Sequence, residues 1–96
     1  MSRKLKWTKR ALRRLESIFD YIAQDSPQAA AKVSGRIYSI TQNLADYPAM
    51  GRVGRIKGTR ELPLPDMPYI IAYRVTETSV DVVTIIHTSQ RWPDSL

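Results

Sequence analysis

The apolar residues of this chain change their period along its length, and that change limits what it can fold into. From Thr8 onward Ala11, Leu12, Leu15, Ile18, Phe19 and Ile22 recur at steps of three and four, the stripe of an amphipathic helix. Thr8 is suited to cap its start, and Asp25 marks its end. Ser26-Pro27 then begins a second helix, because a serine hydroxyl accepts from a free amide and proline fits the first helical position. The second stripe, Ala30, Val33, Ile37, Ile40 and Leu44, stops near Tyr47-Pro48, where proline removes a backbone donor and clashes with the preceding turn. So short a break between two helices implies an antiparallel hairpin.

On either side of the hairpin the period falls to two. Residues 4–7, KLKW, alternate charged and apolar side chains, as a short strand does with Leu5 and Trp7 on one face. Residues 58–64, 68–76 and 79–87 are rich in β-branched and aromatic residues and read as three further strands. Their short connections, Pro65-Asp66-Met67 and Glu77-Thr78, favour an antiparallel meander. The segment from Pro48 to Gly58 has no apolar period and reads as a turn-rich loop, its glycines allowing turns that other residues resist. It lacks the glycine-lysine-threonine order of a phosphate loop and does not lie between a strand and a helix.

The order β-α-α-β-β-β predicts a two-layer α+β fold, with the N-terminal helix hairpin covering one face of a small, largely antiparallel sheet. A chain of 96 residues has room for one core, so residues 1–96 are expected to form a single domain. The tail from Thr88 to Leu96 carries no helix-length pattern.

With 43% hydrophobic and 25% charged residues the composition is that of a folded globular protein. The chain has no cysteine, which excludes thiol chemistry and thiolate metal sites. Asp20, Asp25, Asp66 and Asp81 show no metal-ligand spacing, and one histidine is too few for a typical zinc site; neither metal nor cofactor is expected. No apolar run is long enough to cross a bilayer, and the basic start MSRKLKWTKR lacks the apolar stretch of a signal peptide, so a cytoplasmic protein with no membrane partner is expected.

The formal charge of +6 is uneven. Arg3, Lys4, Lys6, Lys9, Arg10, Arg13 and Arg14 make the start purely basic, and Arg52, Arg55, Lys57 and Arg60 form a second acid-free cluster. Such fields attract nucleic acid, an acidic protein surface or anionic lipid, and they speed encounter more than they define specificity. Solvated surface is the alternative reading of the first cluster.

Several segments, in order and spacing, resemble the RelE/ParE family of toxins from bacterial type II toxin-antitoxin modules. They are the opening strand with Trp7; Ile18, Tyr21 and Ile22; Ser26-Pro27; Tyr47 through Arg52; Gly58-Thr59-Arg60-Glu61-Leu62; Pro68 through Val75; and His87 with Arg91-Trp92-Pro93. The resemblance covers nearly the whole chain. It implies a toxin held in check by a cognate antitoxin in a hetero-oligomer, with the antitoxin's C-terminal segment wrapped on the toxin. It also implies one of two targets: DNA gyrase, poisoned by ParE-like members, or the ribosome and its mRNA, cleaved by RelE-like members.

The residues expected to touch a target are Arg52, Arg55, Lys57, Arg60, Arg74, His87, Arg91 and Trp92. Cleavage of RNA needs an activated 2′-hydroxyl, a stabilised phosphate and a protonated leaving oxygen. Arg60 and Arg74 can clamp a phosphate through their planar guanidinium groups, and Glu61 or His87 can act as acid or base. His87 can also merely cap its strand. Arg74 shares a strand face with Ile70 and Ala72, where pairing with Glu61 or Asp81 is the alternative to target contact. Trp92 either staples the tail to the sheet or joins a contact surface. This acid-base set is incomplete, lacking the late tyrosine of several family nucleases, so no residue is assigned as catalytic and gyrase is the expected target.

Overall fold

The computed structural model describes residues 3–93. Strand β1 (Lys4–Trp7) is followed by helices α1 (Lys9–Ala23) and α2 (Pro27–Asp46), a 3₁₀ turn (Pro48–Met50), and strands β2 (Arg52–Val53), β3 (Arg60–Pro63), β4 (Tyr69–Val75) and β5 (Ser79–His87). The caps lie where the side-chain chemistry puts them. The Ala11 amide donates to Thr8 Oγ1 (3.0 Å) and the Ala29 amide to Ser26 Oγ (3.1 Å), with Pro27 opening α2.

The sheet order is β1-β5-β4-β3-β2. β1 lies parallel to β5, and the other pairings are antiparallel. The expected α+β architecture is therefore the observed one, with one addition: the segment expected to be loop carries the 3₁₀ turn and the two-residue edge strand β2. A strand that short has no alternation from which it can be read.

The hairpin covers one sheet face. Ala11, Ile18, Ile37 and Leu44 from the helices meet Tyr69, Ile71 and Tyr73 of β4 and Val80, Val82 and Ile85 of β5 in one buried cluster. Leu5 and Trp7 pack against it as their alternation requires. Between β4 and β5 the register slips: Ala72 faces Thr84 but Tyr73 faces Val82, so Val83 is an extra residue. That bulge moves Ile85 onto the helix face together with Val80 and Val82.

Behind the sheet Ile70, Ala72, Thr84 and Ile86 are also buried. On that side the Trp92 ring of the C-terminal tail lies under the Arg55 guanidinium, 3.8 Å from its centroid. Among the described residues no helix is long and apolar enough to cross a membrane.

Candidate functional site

Two regions gather the chemically capable side chains. The first lies on the β2–β3 side. Glu61 is 2% exposed, and both of its oxygens are occupied. Oε1 accepts from Arg52 Nε and NH2 (3.2 and 3.0 Å), while Oε2 accepts from the Arg55 amide (2.8 Å) and Arg55 Nε (3.3 Å). Burial pushes the Glu61 carboxyl up, but the hydrogen bonds and charges of Arg55 and Arg52 outweigh it and hold the group below its ordinary value. Glu61 is thus an ionised acceptor with its lone pairs committed, and Arg55 passes the restraint on to Trp92.

Arg60 faces the opposite way. It pairs with Tyr73 across β3 and β4, on the helix side, and its NH1 donates to the Gly51 carbonyl (2.7 Å). The Tyr73 hydroxyl accepts from the Gly51 amide and donates to the Pro48 carbonyl, both at 2.8 Å. A Cβ on residue 51 would fall 2.8 Å from the Glu61 carbonyl oxygen, so only glycine allows this approach. Burial pushes the Tyr73 hydroxyl's pKa up, against opposing pulls from the Gly51 amide and Arg60.

Arg74 points behind the sheet, opposite Asp81 in register. Asp81 instead accepts from the Ser79 hydroxyl (2.9 Å), and among the described residues Arg74 makes no ion pair. Arg60 and Arg74 therefore lie on opposite faces of one sheet. His87 shares the helix face with Arg60 but sits four residues further along β4 and two strands across, about 16 Å away on ordinary strand spacings. Lys57 is exposed in the loop before β3.

The second region lies where β1 stops. Pairing of β1 with β5 ends at Trp7 and Val82, so beyond it β5 is paired only with β4, its other edge has no strand, and α1 runs along that edge. Side chains take over its backbone groups: Thr8 Oγ1 donates to the Val83 carbonyl (2.9 Å), Arg14 Nε donates to the Ile85 carbonyl (3.0 Å), and the His87 amide donates to Gln90 Oε1 (2.8 Å). Arg14 NH2 also donates to Gln90 Oε1 (2.7 Å), which ties the tail to the helix.

The resulting groove is lined by Arg10, Arg13, Arg14 and Arg91 with Ser17 and Gln90, and among the described residues no carboxylate lines it. It runs into a second hollow beside Tyr21, Tyr69 and His87. There the His87 ring stands edge-on to Tyr69, with centroids 5.3 Å apart. His87 Nδ1 accepts from the Ser89 amide (3.0 Å), which in the neutral ring leaves the proton on Nε2. Of the residues expected to touch a target, only His87 and Arg91 lie here. Arg10, Arg13 and Arg14 were legible as charge, but their meeting with the tail depends on where β1 ends.

The structure of the chromosomal ParDE system from P. aeruginosa superposes with a TM-score of 0.81 at 27% identity, covering 90% of this chain and 96% of that one. Toxin RelE2 of Caulobacter vibrioides is 38% identical over 84 residues, 88% of this chain and 93% of the relative. The Sinorhizobium fredii protein Y4kP is 55% identical over the full length of both chains. Fold and relatives together define a type II toxin of the RelE/ParE class. Within it, residues 5–92 match the family described as ParE toxin of the type II toxin-antitoxin system parDE, and the chain belongs to that family.

Proposed function

We propose that this toxin arrests growth by binding and poisoning DNA gyrase, with no chemistry of its own. The observation that carries the reading is the dispersal of the groups RNA cleavage would require. The two phosphate-clamping arginines occupy opposite sheet faces, Glu61 is consumed by Arg52 and Arg55, and His87 lies far from Arg60. A general acid or base must sit within hydrogen-bond reach of its proton, and a clamp must converge on one phosphate. Surface recognition needs no such convergence. Family membership favours the same target.

An antitoxin partner belongs to this reading. The P. aeruginosa neighbour is a ParDE system, and Leu12, Phe19, Tyr47, Met50 and Val53 are exposed apolar side chains able to anchor a partner segment.

The test is a supercoiling and DNA-cleavage assay with purified toxin and gyrase. Inhibited supercoiling is expected with wild type, and it is expected to persist with His87→Ala. Unchanged gyrase at saturating toxin would sink the reading. A second reading, a ribosome-dependent mRNA endonuclease, is favoured by the likeness to a relative named RelE2 and by the position of His87 beside a basic groove. It predicts codon-phased cuts in translated messages that disappear with His87→Ala.

A further inference from the structure

We propose that the groove between α1 and the open half of β5 holds the sugar-phosphate backbone of single-stranded DNA, with Arg10, Arg13 and Arg91 on phosphates and Tyr21 stacking on a base. The choice of DNA over RNA rests on the gyrase reading; the groove itself does not.

Three observations carry the proposal. The groove wall is cationic and built rather than scattered. Arg14 is fixed at both ends of its guanidinium, by the Ile85 carbonyl and by Gln90. Arg91 lines the wall between two anchored neighbours, Gln90, which accepts from Arg14, and Trp92, which lies under Arg55. Arg10 and Arg13 complete the wall, among the described residues no carboxylate lines it, and guanidinium forks match phosphate oxygens.

The second observation is the aromatic group at the groove's end. Tyr21 is 73% exposed and lines the hollow that continues the groove past Ser17. An exposed ring that continues a basic channel is the arrangement by which proteins grip single strands: cations track the backbone and a ring face takes a base.

The third observation separates this occupant from an acidic protein segment. At 3.6 residues per turn, Arg10, Arg14, Ser17 and Tyr21 share one flank of α1, while Leu12 and Phe19 lie about 180° around the helix. A peptide that folds onto the toxin needs apolar anchors along its track. Leu12 and Phe19 supply them on the other flank, whereas Ile85 and Ile86 in the groove floor are buried and the exposed ring of Tyr21 stands at the groove's end. The arginine flank offers charge, hydroxyl and amide groups, which suit phosphates.

The experiment is fluorescence anisotropy of a labelled sixteen-nucleotide oligothymidylate with the isolated toxin across a salt series, the fold of each variant being checked by circular dichroism. Wild type is expected to bind with a steep salt dependence. The R10A/R13A/R91A variant is expected to bind at least tenfold more weakly, with the salt slope reduced by about 2, since each single-strand phosphate contact contributes about 0.7. Tyr21→Ala is expected to lose about fivefold or more, the scale of one stacked base. Leu12→Ser with Phe19→Ser is expected to bind as wild type.

Binding that survives the triple arginine variant overturns the groove, as does a slope that does not change. Tighter binding of the corresponding oligouridylate overturns the choice of DNA. A poly-glutamate peptide that competes at equal concentration of charges overturns nucleic acid as the occupant. Gyrase supercoiling, measured separately, keeps the two readings apart. Gyrase inhibition with arginine-independent DNA binding removes only the groove, whereas arginine-dependent DNA binding with gyrase unaffected removes only the gyrase target.

Discussion

Replacing Glu61 by glutamine tests how much of this protein rests on one buried carboxylate. The substitution keeps the shape but replaces an oxygen with an NH2 group. Since Oε1 and Oε2 both face donors on Arg52 and Arg55, whichever way the amide turns it sets donor against donor. Breaking a fully buried pair costs about 3–5 kcal/mol. Here the arginine side chains are 55% and 49% exposed and regain water when released, which lowers the expected cost to about 2–3 kcal/mol. For a domain of this size that corresponds to a fall in Tm of about 10–20 °C.

The same carboxylate sets a pH dependence. Its folded pKa lies below the unfolded one, so between the two values the unfolded chain binds more protons. The stabilisation is present above the unfolded pKa, and it is lost as pH falls through the folded value. Urea titrations followed by circular dichroism, run from neutral pH into the acid range, measure both effects. Glu61→Gln should lower stability near neutrality and flatten the acid limb. A variant within about 0.5 kcal/mol of wild type at neutral pH, with an unaltered acid limb, would refute the view that this clamp holds the β2–β3 segment.

Tyr73→Phe removes the hydroxyl that joins the Gly51 amide to the Pro48 carbonyl, and a loss of about 1–3 kcal/mol is expected in the same titrations. Trp92→Ala removes the ring beneath Arg55 and should cost only about 1 kcal/mol of stability. It should weaken gyrase inhibition more than that, because Arg91 loses its neighbour's anchor; undiminished inhibition would make the tail dispensable. With a purified acidic antitoxin, stopped-flow mixing should show an association rate that falls as salt rises while much of the affinity persists, as expected for a toxin of charge +6. A rate independent of salt would exclude steering.

Much of the scaffold was legible in the chain alone. The helix stripes, Thr8, Ser26-Pro27 and Tyr47-Pro48 locate both helices, because caps and breakers act on backbone groups within one turn of themselves. β1 and β5 stand at the residues that alternation and β-branching indicate. The parity of β4 also places Arg74 behind the sheet, away from Tyr73.

The site was less legible, since it depends on relations between strands. That Arg60 joins Tyr73 on the helix face follows from the β3–β4 register, which no local pattern encodes. The bulge at Val83 is likewise invisible in SVDVVTIIH: strict alternation would place Ile85 and His87 on the face away from Val80 and Val82, and one extra residue returns them to the helices. Glu61 looked like a candidate acid or base until its neighbours were known.

What the sequence by itself determined is the set of elements and their apolar faces, because periodicity and capping are local and are satisfied the same way in any fold that contains them. Only the tertiary structure decided which charges meet. Glu61 against Arg52 and Arg55, Arg60 apart from Arg74, and Arg10 and Arg13 beside Arg91 all result from strand order, one bulge and the point where β1 stops. Those features join residues far apart in the chain, where spacing along the sequence carries no information about distance in space.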